Sequence, residues 1–181
     1  MKIEKFEEKI ELPEGVQAKI ENGFITLSKD KNETSRILRD KKVLIECKPD
    51  SVVLSFTKGT KQQKMIMGTF RAHIKNMIKG VTEGHIYKLK ICSGHFPMNV
   101  TVSNDKVIVN NFLGEKTPRE LNIKEGVTVK LDGDIITVEG TNKETTAQTA
   151  ASIEKLTTVK GKDLRIFQDG IYITNKDGRD I

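Results

Sequence analysis

Apolar residues recur every three or four positions over one long stretch near the middle of the chain, Lys61 to Gly84. Placed at about 100° per residue, Ile66, Met67, Phe70, Ile74, Met77 and Ile78 share one broad face, while Lys61, Lys64, Arg71, Lys75 and Lys79 form a narrow basic stripe on the other. The spacing predicts an amphipathic helix. Gly80 and Gly84 are expected to stop it, because glycine takes the left-handed C-terminal conformation at little steric cost. A helix here closes one sheet and leads into the next, which makes it the joint of a two-part protein.

On both sides of this helix the pattern shortens to strands bounded by turn residues. Val16 to Ile20 and Phe24 to Leu27 flank Asn22-Gly23, a hairpin signal because both residues tolerate positive φ. After the charged segment 29–33, Ser35 to Arg39, Val43 to Cys47 and Val52 to Phe56 continue as a meander, with Lys48-Pro49-Asp50 as a turn. Beyond the helix, Tyr87 to Cys92 leads into the loop Ser93 to Pro97. Asn99 to Val102 and Val107 to Asn110 make a hairpin around Ser103-Asn104-Asp105. Arg119 to Ile123, Val127 to Leu131 and Ile135 to Val138 follow. A second helix is expected over Lys143 to Leu156, capped by Asn142, with Ala147, Ala150, Ala151, Ile153 and Leu156 inward. Ile171 to Thr174 is the last strand, and a polar tail ends the chain.

A repeat runs through these elements. Glu14-Gly15-Val16, Lys19-Ile20 and Ile25-Thr26-Leu27 return as Glu125-Gly126-Val127, Lys130-Leu131 and Ile136-Thr137-Val138 at a constant offset of 111. A fixed period marks duplicated units. The expected fold class is therefore α+β: two similar domains from an internal duplication, each an antiparallel β-sheet packed against one α-helix. The expected bounds are 1–82, 83–175 and a polar tail at 176–181.

Charge narrows the partners. The 181 residues carry 31 Lys and Arg against 25 Asp and Glu, a formal net charge of +6. That balance favours a polyanion. The excess is lopsided, with 17 basic and 12 acidic side chains in residues 1–84 and 14 against 13 in residues 85–181. The N-terminus, MKIEKFEEKIEL, has no apolar run suited to a signal sequence, and no later stretch has the length to span a bilayer, so a cytoplasmic protein is expected. Cys47 and Cys92 lie in apolar runs that suit reduced, buried thiols.

Reaction chemistry finds little support. A glycine-rich phosphate loop, a G-x-S-x-G elbow and an H-E-x-x-H helix are all absent from the sequence. His73, His85 and His95 are dispersed, and Cys92 with His95 lacks further ligands for zinc. No enzyme, cofactor, metal site or small-molecule substrate is expected. Two basic surfaces remain. One is the helix stripe Lys64, Arg71, Lys75 and Lys79, where a solvated face is the plainer reading. The other is the C-terminal region, where Lys155, Lys160, Lys162, Arg165, Lys176 and Arg179 mix with Asp163, Asp169, Asp177 and Asp180 among Gly161, Gly170 and Gly178. Phe96 is read as a core anchor in preference to a base-stacking ring.

Four motifs in order, GTFRAHIKNMIKGVTEG (Gly68 to Gly84), HFPMNV (His95 to Val100), NFLGEK (Asn111 to Lys116) and RIFQDGIYI (Arg165 to Ile173), resemble the large-subunit ribosomal protein "L-six" family in its archaeal and eukaryotic form. Bacterial members resemble it less, ending in a Pro-Tyr-Lys-Gly-Lys-Gly type segment where this chain has Phe167 to Tyr172; Ala147 stands where the family usually has Gly. The resemblance implies a non-catalytic protein that binds large-subunit rRNA mainly through its C-terminal domain, near the sarcin-ricin loop and the base of the factor-binding stalk, beside neighbouring ribosomal proteins. Carried onto the motifs, His95, Lys116, Arg119, Lys160, Lys162 and Arg165 are the expected rRNA contacts, and Arg179 joins them by charge alone. The plainer role of Arg119 is a cross-strand partner for an acidic neighbour, and that of Arg165 a salt bridge to Asp163 or Asp169. The alternative function is a protein-interaction module that grips an acidic partner through the helix stripe and sheet edges.

Overall fold

The structure, a computed structural model, describes residues 3–30, 32–103 and 105–181, with side chains described from Phe6 onward outside the two gaps. Asn104, in the middle of an expected turn, and Lys31, in the charged segment after the first hairpin, lie outside the described residues. The chain divides into two compact units at Gly84 and His85, each with its own apolar core.

In the first unit, strands β1 (Ile3–Glu11), β2 (Gln17–Glu21), β3 (Phe24–Lys29), β4 (Asn32–Ile37), β5 (Val43–Lys48) and β6 (Ser51–Gly59) precede helix α1 (Lys61–Thr82). They form two antiparallel three-stranded sheets, ordered β1-β6-β5 and β2-β3-β4, where a single meander was expected. The reason is β1. Its heavily charged sequence hides an alternation in which Phe6, Glu8 and Ile10 turn inward, and Phe6 stacks on Phe56 of β6 at 5.9 Å. Asn22 and Gly23, at φ 51° and 83°, make the expected tight turn between β2 and β3.

Helix α1 starts with a reciprocal cap, in which the Thr60 hydroxyl accepts from the Gln62 N–H and the Gln63 side chain accepts from the Thr60 N–H. That bond explains why a glutamine is buried in the first turn. Met67, Phe70, Ile74 and Met77 are buried, with Ile66 and Ile78 packed at the core's edge. Gly80 does not stop the helix; it is buried inside it, and Gly84 at φ +78° is the residue that ends it, its N–H reaching the Lys79 carbonyl at 3.1 Å.

The second unit follows as β7 (His85–Cys92), β8 (Asn99–Val102), β9 (Lys106–Asn110), a 3₁₀ turn (Phe112–Gly114), β10 (Arg119–Asn122), β11 (Val127–Asp132), β12 (Ile135–Gly140), α2 (Lys143–Leu156), β13 (Gly170–Lys176) and β14 (Arg179–Asp180). Its sheets are ordered β10-β9-β8 and β11-β12-β7-β13-β14, with all neighbours antiparallel. Asn142 caps α2 as expected, accepting from the Glu144 N–H at 2.9 Å. The inward side of α2 differs from the apolar count. Ala151 is exposed, whereas Thr146 and Thr149 are buried, because each hydroxyl donates to a carbonyl four residues back.

The duplication is present at a different period from the one expected. β1 and β7 begin 82 residues apart, as do β3 and β9 and α1 and α2, and the sheet orders β1-β6-β5 and β7-β12-β11 correspond. The offset of 111 matches β2-β3 to β11-β12, two hairpins that occupy different sheets of their units. Similar turn chemistry produced that likeness. β13 and β14 extend the second unit's sheet past β7, so the residues expected as a polar tail from 176 onward instead complete a hairpin turned at Asp177 and Gly178, with φ 55° and 91°.

Candidate functional site

The C-terminal cations sit on an ordered segment between α2 and β13. This connection, residues 157–169, has no helix or strand, yet both ends are fixed: the Thr157 hydroxyl accepts from the Ile171 N–H at 2.8 Å, and the Glu154 carboxylate accepts from the Ile173 N–H at 3.1 Å. Its middle folds around Asp163, whose carbonyl accepts from the Ile166 and Phe167 N–H groups. Lys160, Lys162 and Arg165 are all exposed on this connection.

The acidic residues of the region are occupied locally. Asp169 is almost fully enclosed, its side chain 3% exposed. It accepts from the Gly94 N–H, from the His95 N–H at 3.1 Å and from His95 Nδ1 at 2.9 Å. Burial pushes its carboxyl upward, but the two backbone bonds, the His95 side-chain bond and the His95 charge together hold it below the ordinary carboxylate range. An ionised carboxylate only accepts, so the His95 proton facing it lies on Nδ1. Asp177 faces the fully buried His85 at 3.1 Å and Lys143 at 3.7 Å. Asp180 accepts from the Asn175 amide at 2.7 Å. Asp163 pairs with Arg165, whose side-chain and backbone bonds lower its carboxyl, while the side-chain bond raises the guanidinium.

This sorting decides which cations face outward uncompensated. Among the described residues, no acidic side chain bonds Lys116, Lys160, Lys162 or Arg179, and all four are exposed. Lys162 lies over the Phe167 ring, 4.7 Å from its centroid, and the His95 ring stacks on the same phenylalanine at 4.9 Å. Arg165 is 90% exposed and its ion pair is a solvated one, so an incoming phosphate can exchange for Asp163 at small cost. Arg119 behaves differently. Its guanidinium holds both oxygens of Glu115 at 2.6 and 2.8 Å, donates to the Leu156 carbonyl at 2.6 Å and lies over Phe112, tying the turn before β10 to the end of α2. An acidic partner across the strands was the plainer expectation, but Glu115 stands four residues back in the turn before β10, and the hydrogen bonds from Arg119 lower its carboxyl.

The structure brings His95 and Lys162 together through Phe167. It gives no bond that joins Lys116 or Arg179 to that cluster. The basic stripe of α1 is partly consumed: Arg71 pairs with Glu8 at 2.7 Å, and Lys64 lies over Phe6 at 5.4 Å. Phe96 is half-exposed, not a core anchor, and its ring lies against Gly114. Cys47 and Cys92 are free thiols, half-buried, and burial pushes the Cys47 thiol up. Sequence reasoning missed Asp169, Phe167 and Tyr172 as parts of the site. Their only signal was the order of residues in RIFQDGIYI, since Asp169 meets its partners across 74 and 75 residues of chain.

No group of three or more His, Cys, Asp or Glu among the described residues has the spacing to hold a metal ion. No helix among them is long and apolar enough to cross a membrane. Two small α+β units, the second carrying exposed cations on a braced connection, define the class of fold. The sequence pattern of the ribosomal protein L6 family matches residues 12–84 and 96–170, one stretch in each unit. The chain is 47% identical over 172 residues to large ribosomal subunit protein uL6 of Methanococcus vannielii, covering 95% of this chain and 94% of that protein. It is 44% identical over 170 residues to the uL6 of Methanobrevibacter smithii, covering 94% and 96%, and 41% identical over 170 residues to that of Haloarcula marismortui, with the same coverage. The chain belongs to the ribosomal protein L6 family, in its archaeal form.

Proposed function

We propose that this protein is a structural constituent of the large ribosomal subunit, in the cytoplasm, where it binds large-subunit rRNA and neighbouring ribosomal proteins and catalyses no reaction. The observation that carries the reading is the 157–169 connection, which exposes Lys160 and Lys162 with no acidic partner among the described residues and Arg165 in a solvated pair with Asp163. Phosphate contacts of this kind position a protein on RNA, and a rigid scaffold holds them in register. The second unit is the principal rRNA-binding domain, through His95, Lys116, Lys160, Lys162, Arg165 and Arg179, with Arg119 bracing the fold beside them. Its place on the subunit is near the sarcin-ricin loop and the base of the factor-binding stalk. The α1 stripe, already paired in part with β1, supports the rival grip on an acidic protein less well.

The purified chain is expected to sediment with large ribosomal subunits through a gradient and to be released by a high-salt wash, because displaced counterions contribute to the binding. Sedimentation apart from the subunits at low salt contradicts the reading.

A further inference from the structure

Beside the cationic connection lies a groove of about 620 Å³, within the range of small-molecule sites, lined among others by Gly94, His95, Ile166, Gln168 and Tyr172. We infer that this groove receives one unstacked nucleobase of a bound RNA, with Tyr172 as its stacking surface and Gln168 as its polar contact. The inference rests on the RNA-binding reading above and names a subsite within it.

Tyr172 is fixed before any ligand arrives. Its hydroxyl donates to the Gln168 carbonyl at 3.2 Å, and its ring lies against Gly170, where an added Cβ would sit 3.2 Å from the hydroxyl oxygen and 3.3 Å from ring carbons. It nevertheless keeps 41% of its surface exposed, an unusual state for an aromatic residue anchored at both ends. Ile166, 61% exposed, supplies an apolar wall that no described side chain covers. Both are surfaces that an aromatic ring fits and a hydrated phosphate does not.

Charge around the groove suits a nucleotide. Lys90 sits opposite Tyr172 in the β7–β13 register, so its side chain shares a sheet face with the ring. Arg165 precedes Ile166 on the same turn. The one carboxylate in the lining, Asp169, is enclosed and bonded to Gly94 and His95, so it presents little negative charge to an approaching strand. RNA-binding proteins read single nucleotides through this pairing, an aromatic face for the base and an amide for its edge, with cations left for the backbone.

The test compares variants of the full chain for binding to a large-subunit rRNA transcript carrying scattered 4-thiouridine. Tyr172→Ala is expected to weaken binding about tenfold, the scale of one lost base stack, without changing the salt dependence. Ile166→Ser should weaken binding in the same direction, and photocrosslinks should fall on peptides containing Tyr172 or His95. Ile166 is exposed, so its replacement leaves folding intact and guards against misreading an unfolded Tyr172→Ala. Parent-like binding by both Tyr172→Ala and Ile166→Ser overturns the inference, as do crosslinks confined to other peptides. Failure of the parent chain itself to bind sinks the RNA reading as a whole.

Discussion

Asp169 does the most for the site at the scale of single residues. Three donors converge on one enclosed carboxylate and pin the 93–95 loop to the start of β13. Since its carboxyl is held below the ordinary range, the stability it contributes is fully present above the unfolded carboxylate value of about 3.9 and fades as pH falls through the lower folded value. Asp169→Asn is expected to destabilise the second unit by about 1–3 kcal/mol at neutral pH, because an amide leaves a buried N–H unsatisfied. Denaturant unfolding at a series of pH values checks this: the variant and parent should converge in acid, and parallel curves contradict it. The sequence offered Asp169 only as one of two acids that could pair with Arg165, and Asp163 is the one that does; the bonds of Asp169 to Gly94 and His95 were not legible there. A bond across more than seventy residues leaves no local pattern. Arg119 was legible in kind, as a cation near acids, but its partner proved to be Glu115 in its own turn.

Among the elements, periodicity gave the two helices nearly to the residue, because long apolar patterns with caps at both ends carry redundant signals. β1 escaped because its outward positions are charged and its inward positions include Glu8, which masks the alternation. The two glycines that end β6 and β12 both stand where a side chain would collide with a neighbour. A Cβ on Gly59 would run into the Phe56 ring, and one on Gly140 would meet the Thr146 hydroxyl and lie 3.1 Å from the Gly126 carbonyl. Gly140→Ala is therefore expected to cost about 1–3 kcal/mol through overpacking. Gly68, inside α1 with open space around it, should behave in reverse, with Gly68→Ala gaining about 1 kcal/mol of helix propensity. Thermal unfolding of the two variants separates the effects, and equal shifts of one sign contradict the account.

Over the whole molecule, the class of fold and the fact of duplication were both readable, while the period was not. Hairpins with similar turns resemble one another wherever they occur, so the offset of 111 linked elements from different sheets, whereas the 82-residue period shows only when sheet order and helices are compared together. Net charge pointed to a polyanion without saying which cations are available. The first unit carries more of the excess, yet Arg71 and Lys64 are engaged with β1, and the second unit, nearly neutral by count, pairs Lys106, Lys130 and Lys143 with acids while Lys116, Lys160 and Lys162 face outward. The most direct measurement is the slope of binding affinity against salt concentration for a large-subunit rRNA transcript, taken for the parent, for Lys160→Glu with Lys162→Glu, and for Lys64→Glu with Lys75→Glu. The account predicts a steep slope for the parent, a loss of about one to two from its magnitude for the first pair together with much weaker binding, and little change for the second. A flat parent slope, or a larger loss from the Lys64 and Lys75 pair, contradicts it.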